Sequence, residues 1–195
     1  TWNAAYAEPT TVSISGGKVS SKDYVAILNR VANGAGGGYS IEITDNAIID
    51  GATAAIKEVD DASPVFQDIN GGTFIVHTYD DLKKYLEAGV NVVMGESITT
   101  TDHADTTDRI VIDSKASTLD LNGKTLDVTA TGSEQTLIKI MGTESNRGSL
   151  TLKDSKSGGT IDMNGDKPYI FFTSKYSLLT IESGTYNSKG CIISG

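Results

Sequence analysis

Ser117-Thr-Leu-Asp-Leu-Asn-Gly-Lys-Thr-Leu126 sets leucines at alternate positions, follows them with a turn, and closes on another leucine. Leu119 and Leu121 flank Asp120, the period of a strand with one buried face. Asn122 and Gly123 tolerate the positive φ that a sharp reversal needs. Leu126 then points inward again on a second strand. The core of this phrase, Leu121-Asn-Gly-Lys-Thr-Leu126, recurs as Ile14-Ser-Gly-Gly-Lys-Val19, Ile43-Thr-Asp-Asn-Ala-Ile48, Ile69-Asn-Gly-Gly-Thr-Phe74, Val93-Met-Gly-Glu-Ser-Ile98 and Ile181-Glu-Ser-Gly-Thr-Tyr186. A looser copy runs from Leu152 to Ile161 with extra residues in its turn. The starts at 14, 43, 69, 93, 121, 152 and 181 lie about 28 residues apart on average. A period of that size is the mark of one supersecondary unit stacked on itself.

A third apolar patch follows in most copies: Val25-Ala-Ile27, Ala54-Ala-Ile56, Ile138-Lys-Ile140, Ile170-Phe-Phe172 and Ile192-Ile193. Strand, tight turn, strand, loop, strand is the content of one coil of a right-handed parallel β-helix, in which each strand pairs with its equivalent one coil away. An antiparallel sandwich would instead show hairpin signals about every 8 to 12 residues. The expected fold is all-β, a right-handed parallel β-helix with one short capping α-helix around residues 79–88.

That helix is read from Thr78-Tyr-Asp-Asp-Leu-Lys-Lys-Tyr-Leu-Glu-Ala-Gly89. Thr78 is an N-cap with Asp81 three positions on, the apolar residues fall at helical spacing, and Gly89 ends the run. Leu82, Tyr85 and Leu86 form the face it would bury while covering open strand edges. The expected organisation is residues 1–72 as three coils, either separate or a preceding stack, and residues 73–195 as the capping helix plus four coils.

Hydrophobic residues make up 38% of the chain and aromatics 7%, which suits a narrow core fed by a few residues per coil. The formal charge of −9 repels phosphate backbones and anionic lipid surfaces, so nucleic acid is not an expected partner. No apolar stretch approaches the roughly 20 residues needed to span a bilayer, and membrane insertion is not expected. Thr1 in place of Met is what a processed or excised chain would show. Cys191 sits in the apolar run Cys191-Ile192-Ile193 and is expected to be a small buried hydrophobe.

The segments His77–Gly89, Val92–Ile98, Ser117–Leu126, Ser149-Leu-Thr-Leu-Lys-Asp-Ser155 and Thr180–Tyr186 resemble the pectate-lyase-like right-handed β-helices of bacterial surface proteins and phage virion proteins. The resemblance covers residues 73–195 well and residues 10–72 only through the coil phrase. It implies an extracellular location, on a bacterial cell surface or a virion, and carries no catalytic information.

Polysaccharide-cleaving β-helices need an acid and a base about one coil apart. Outward positions offer Glu42, Asp45, Asp120, Asp127, Lys153 and Glu182, with Arg109 and Arg147. The phrase alignment shows no column in which two carboxylates recur on neighbouring coils; solvated strand faces are the expected role of these residues. Asp162-Met-Asn164-Gly-Asp166 opens like a calcium loop, but Lys167 stands where an EF-hand has Gly and Thr173 where it has Glu, so a polar turn is expected, with calcium a weak alternative. Gly34-Ala-Gly-Gly-Gly38 lacks the Lys-Ser/Thr of a phosphate-binding loop. His77 and His103 lack ligand spacing. Tyr169, Phe171 and Tyr176 are weak glycan-binding candidates, with Tyr169 and Phe171 expected to share a lateral face. No catalytic, cofactor-binding or metal residues are expected beyond these.

The expected function is a non-catalytic extracellular module, structural or adhesive, on a bacterial surface or a phage particle, with a glycan or a surface protein as partner. The alternative is a polysaccharide lyase or glycoside hydrolase acting on acidic or host glycans. Open coil ends also make self-association an expectation.

Overall fold

The computed structural model describes residues 10–30, 39–59, 66–101, 108–131 and 135–195. Gly34–Gly38 and His103 lie outside the described residues. The chain divides into two compact units, Thr1–Ile75 and Val76–Gly195. Each is built as a parallel β-solenoid.

The first unit holds β1 (Thr10–Ile14), β2 (Lys18–Ser21), β3 (Ile27–Arg30), β4 (Tyr39–Ile43), β5 (Ile48–Gly51), β6 (Ile56–Val59) and β7 (Phe66–Ile69), with β8 (Thr73–Val76) at its boundary. Strands separated by one coil pair in parallel: β1-β4-β7, β2-β5-β8 and β3-β6. The register stacks like on like. Val12 and Ile14 lie beside Ile41 and Ile43, and Val19 lies beside Ile49, which in turn meets Phe74. Ile43, Ile49 and Phe74 are completely buried.

The second unit opens with the helix α1 (Tyr79–Ala88). Thr78 caps it by accepting the Asp81 backbone N–H, and Gly89 ends it at φ 86°, a conformation glycine enters without steric cost. Leu82, Tyr85 and Leu86 are fully buried, as the helical spacing required. Four coils follow: β9 (Asn91–Met94), β10 (Ile98–Thr101) and β11 (Ile110–Asp113); β12 (Ala116–Asp120), β13 (Thr125–Thr129) and β14 (Thr136–Met141); β15 (Gly148–Lys153), β16 (Thr160–Asn164) and β17 (Tyr169–Thr173); β18 (Ser177–Ile181), β19 (Thr185–Ser188) and β20 (Cys191–Ser194). They stack as β9-β12-β15-β18, β10-β13-β16-β19 and β11-β14-β17-β20. The core is a set of ladders, among them Val92–Leu119–Leu152–Ile181 and Ile98–Leu126–Ile161–Tyr186.

The helix packs on β9, β11 and β12. It closes the outer edge of β11: the Glu87 carboxylate accepts the Val111 N–H at 2.9 Å, and Lys83 Nζ reaches the Arg109 carbonyl at 2.6 Å. Ser117 Oγ donates to the Leu86 carbonyl at 2.6 Å, satisfying an acceptor in the last helical turn.

Three expectations need correction. In the second phrase the inward closing residue is Ile49, not Ile48, because β5 sets Ile49 beside Val19 and Phe74 and Ile48 beside Lys18 and Thr73. In the fourth phrase the inward residues are Val92 and Met94, not Val93, because β9 pairs Val92 with Leu119. Cys191 is exposed rather than buried, since β20 belongs to the last coil and has a neighbour on one side only.

Candidate functional site

The polar face of β10-β13-β16-β19 gathers more chemistry than any other sheet surface described. Along β13, Thr125, Asp127 and Thr129 alternate with buried Leu126 and Val128; along β16, Thr160, Asp162 and Asn164 alternate with buried Ile161 and Met163. Period two therefore sends both sets outward. In-register pairing then sets Thr125 beside Thr160, Asp127 beside Asp162 and Thr129 beside Asn164. The next strand adds Thr185 beside Thr160 and Asn187 beside Asp162.

Two aspartates thus stand in register on neighbouring coils, their backbones at the strand spacing of about 4.8 Å. This corrects the expectation that no such column exists. The phrase alignment equated Leu121 with Leu152, whereas β12 and β15 pair Leu119 with Leu152. The turn after β15 then holds two more residues than the turn after β12, as Ala116↔Ser149 and Thr125↔Thr160 show. The closing residues Leu126 and Ile161 pair as the phrases have them, so Asp127 and Asp162 meet as the next residue of each strand; reading Asp162 as a calcium-type turn is what hides the column.

Their mutual repulsion is offset by amide donors from the following coil. Asn164 Nδ2 donates to Asp127 Oδ1 at 3.1 Å, and Asn187 Nδ2 donates to Asp162 Oδ1 at 2.6 Å. Thr160 Oγ1 lies 3.0 Å from Thr125 Oγ1 and 3.3 Å from Asp162 Oδ2, while Ser97 Oγ accepts the Thr125 N–H. The polar face is a hydrogen-bonded ladder running from coil to coil.

Two further carboxylates serve the turns. Asp120, expected on a solvated face, is buried: its Oδ1 accepts the N–H groups of Asn122 and Ser155 at 2.9 and 3.0 Å. Asp154 takes the Gly123 and Gly159 N–H groups at 2.6 and 2.7 Å. A carboxylate accepting two backbone donors is a strong local brace, because charge-assisted bonds are about twice as strong as neutral ones. Asn122 adds a bond from Nδ2 to the Met94 carbonyl.

The other candidates fall elsewhere. Phe171 is completely buried and meets Tyr186 edge-on, ring centroids 5.8 Å apart, so it does not join Tyr169 on a lateral face. Ile170 is buried too, so both sides of β17 are covered at this point. Tyr176, at φ 62°, carries Lys175 Nζ 4.7 Å from its ring centroid. Asp162 and Asn164 lie on β16, bonded to neighbouring coils as above, and Asp166 is exposed beyond the strand. Among the described residues, no three His, Cys, Asp or Glu side chains come together as metal ligands. His77 Nδ1 lies 3.9 Å from Glu96 Oε1, and its ring fills the space a Cβ on Gly95 would take. Glu42 belongs to β4 of the first unit, with Asp68 as its register partner. Glu182 and Arg147 are exposed. Tyr186 donates its hydroxyl to the Ser183 carbonyl, and burial, then the charge of Asp154, push its pKa up to about 12.

No protein-family model matches the chain, and neither the curated proteins nor the solved structures compared with it contain a match.

Proposed function

We propose that the chain is a non-catalytic module of an extracellular pectate-lyase-like β-helix, a stalk or adhesive domain on a bacterial surface or a phage particle. The observation that carries this reading is the coil-to-coil ladder Asn164→Asp127, Asn187→Asp162 and Thr160–Thr125. Its polar groups are engaged with one another along the stack, which stiffens a solenoid and presents a continuous hydrophilic face to a glycan or a surface protein. The family resemblance of residues 73–195 supports the extracellular setting.

The Asp127–Asp162 pair favours one second reading, glycan cleavage. Retaining glycosidases hold two carboxyl groups roughly 5–5.5 Å apart, and pairing on adjacent strands about 4.8 Å apart sets the Asp127 and Asp162 backbones at that scale. Incubating the protein with acidic and host polysaccharides, with and without calcium, and sizing the products separates the two. The structural reading expects no chain shortening. Shortening that disappears in Asp127→Asn and Asp162→Asn would overturn it in favour of the enzyme.

A further inference from the structure

Three Asn-Gly pairs fall within the described residues, Asn70-Gly71, Asn122-Gly123 and Asn164-Gly165; a fourth, Asn33-Gly34, lies outside them. Such a pair carries a latent intramolecular reaction. The glycine nitrogen can attack the asparagine side-chain carbonyl carbon, because no Cβ shields that nitrogen and the two groups are tethered at close range. In a folded chain the rate depends on what holds the glycine N–H and the asparagine amide.

The turns hold the three pairs differently. At Asn122 both reacting groups are tied: Nδ2 donates to the Met94 carbonyl at 2.9 Å, and the Gly123 N–H donates to Asp154 Oδ1 at 2.6 Å. Attack requires the glycine nitrogen to lose its proton, and beside a carboxylate both the charge-assisted bond and the negative charge that would form oppose that loss. At Asn164 the amide donates to Asp127, so turning its carbonyl carbon toward Gly165 breaks a rung of the ladder. Asn70 is exposed. Its own N–H donates to the Ile43 carbonyl and the Gly72 N–H to the Asp45 carbonyl, both at 3.0 Å. Between them, the Gly71 N–H has no acceptor among the described residues. The stacking also imposes the glycine: a Cβ on Gly71 would lie 2.8 Å from the Asp45 backbone nitrogen. Coil packing thus demands the residue that makes this pair labile.

We infer that Asn70 is a site of spontaneous deamidation in the folded protein, with water as the only co-reactant, and that Asp154 protects Asn122 from the same reaction. The Gly71 nitrogen gives its proton to solvent and bonds to Asn70 Cγ; the Cγ–Nδ2 bond breaks, and ammonia leaves with a proton from water. The product is a five-membered succinimide. Water then opens the ring: attack at Cγ leaves an aspartate, and attack at the main-chain carbonyl leaves an isoaspartate. Nothing is oxidised or reduced. The turn between β7 and β8 gains a negative charge near exposed Asp45, and the isoaspartate also lengthens the main chain within a stacked turn. This chemistry is independent of what the polar face binds.

Peptide mapping by mass spectrometry, over a time course in mildly alkaline buffer, tests it. In the folded protein the Asn70 peptide should gain the mass of amide-to-acid conversion and split into aspartyl and isoaspartyl forms. The Asn122 and Asn164 peptides should lag several-fold behind. In urea the three should convert at similar rates, which isolates the contribution of the fold. Asp154→Ala should raise the rate at Asn122 and leave those at Asn70 and Asn164 unchanged. Folded-state conversion at Asn70 no faster than at Asn122 would overturn the inference, and that comparison holds on the wild type even where the variant fails to fold. A folded Asp154→Ala protein in which Asn122 stays protected would overturn the role given to Asp154.

Discussion

The Glu87 carboxylate, on the helix, accepts the backbone N–H of Val111, on the edge strand β11, at 2.9 Å. The same oxygen receives Lys83 Nζ at 2.6 Å, which ties the helix surface to the strand it covers. Glu87→Ala strips the acceptor from a part-buried amide. A loss of about 1–3 kcal/mol is expected from one unsatisfied donor, read as a shift in the urea midpoint. Glu87→Gln, which keeps an acceptor, should recover part of it. Equal midpoints for wild type and Glu87→Ala would mean that the helix alone holds the edge.

Asp154 makes the corresponding test in a turn. Its two oxygens take the N–H groups of Gly123 and Gly159, which come from turns one coil apart. Asp154→Ala leaves both donors without that partner, and bonds to a charged group contribute about 1.5–3 kcal/mol each. Thermal denaturation should show a clear fall in Tm, larger than for Asp166→Ala, where the carboxylate is exposed. Similar effects at the two positions would remove Asp154 from its bracing role.

These examples show what the sequence could reveal. The helix was legible because its signals are local: Thr78, the spacing of Leu82, Tyr85 and Leu86, and Gly89 all act within a few residues. The strand–turn–strand coil was legible for the same reason, through period two and turn chemistry. The Asp127–Asp162 pair was in reach, since the phrases equate Leu126 with Ile161, but the Asp-x-Asn-x-Asp spacing from Asp162 reads as a polar turn, whereas Asp162 and Asn164 are outward strand residues. Phe171 shows another limit. Alternation puts Ile170 and Phe171 on opposite sides of β17 but does not say whether the outer side is covered, and here both are buried. Cys191 misled for a third reason, since an apolar run in a last coil has lost the neighbour that would bury it.

Tyr186 gives a pH-dependent prediction. Its pKa is raised by burial and by Asp154 from the ordinary 10.0 to about 12. The folded state therefore holds this phenolic proton more tightly than the unfolded chain does. Its contribution to stability is complete below pH 10 and is lost as pH rises toward about 12. The difference in phenolate absorbance between wild type and Tyr186→Phe should titrate late in that window. Stability should fall less steeply there for Tyr186→Phe. Parallel stability curves would sink the assignment.

The turn after β15 carries Gly158 and Gly159 side by side, and the two are there for different reasons. Gly158 has φ +85° with nothing within 4 Å of an added Cβ, so its role is conformational. At Gly159 a Cβ would lie 2.6 Å from Leu121 Cβ and 2.7 Å from Asp154 Cγ, so its role is steric. Leu121 is fully buried and fills the corner beneath this turn, and Asp154 is held by two backbone bonds, so neither can yield cheaply. Gly158→Ala should cost about 1–2 kcal/mol, the left-handed penalty of a Cβ. Gly159→Ala should also disturb the Asp154 brace: overpacking costs about 1–3 kcal/mol, and the displaced hydrogen bonds add to it. Chemical denaturation of the two variants side by side measures the difference. If Gly159→Ala were no more damaging than Gly158→Ala, Leu121 and Asp154 would not be the rigid floor of the turn.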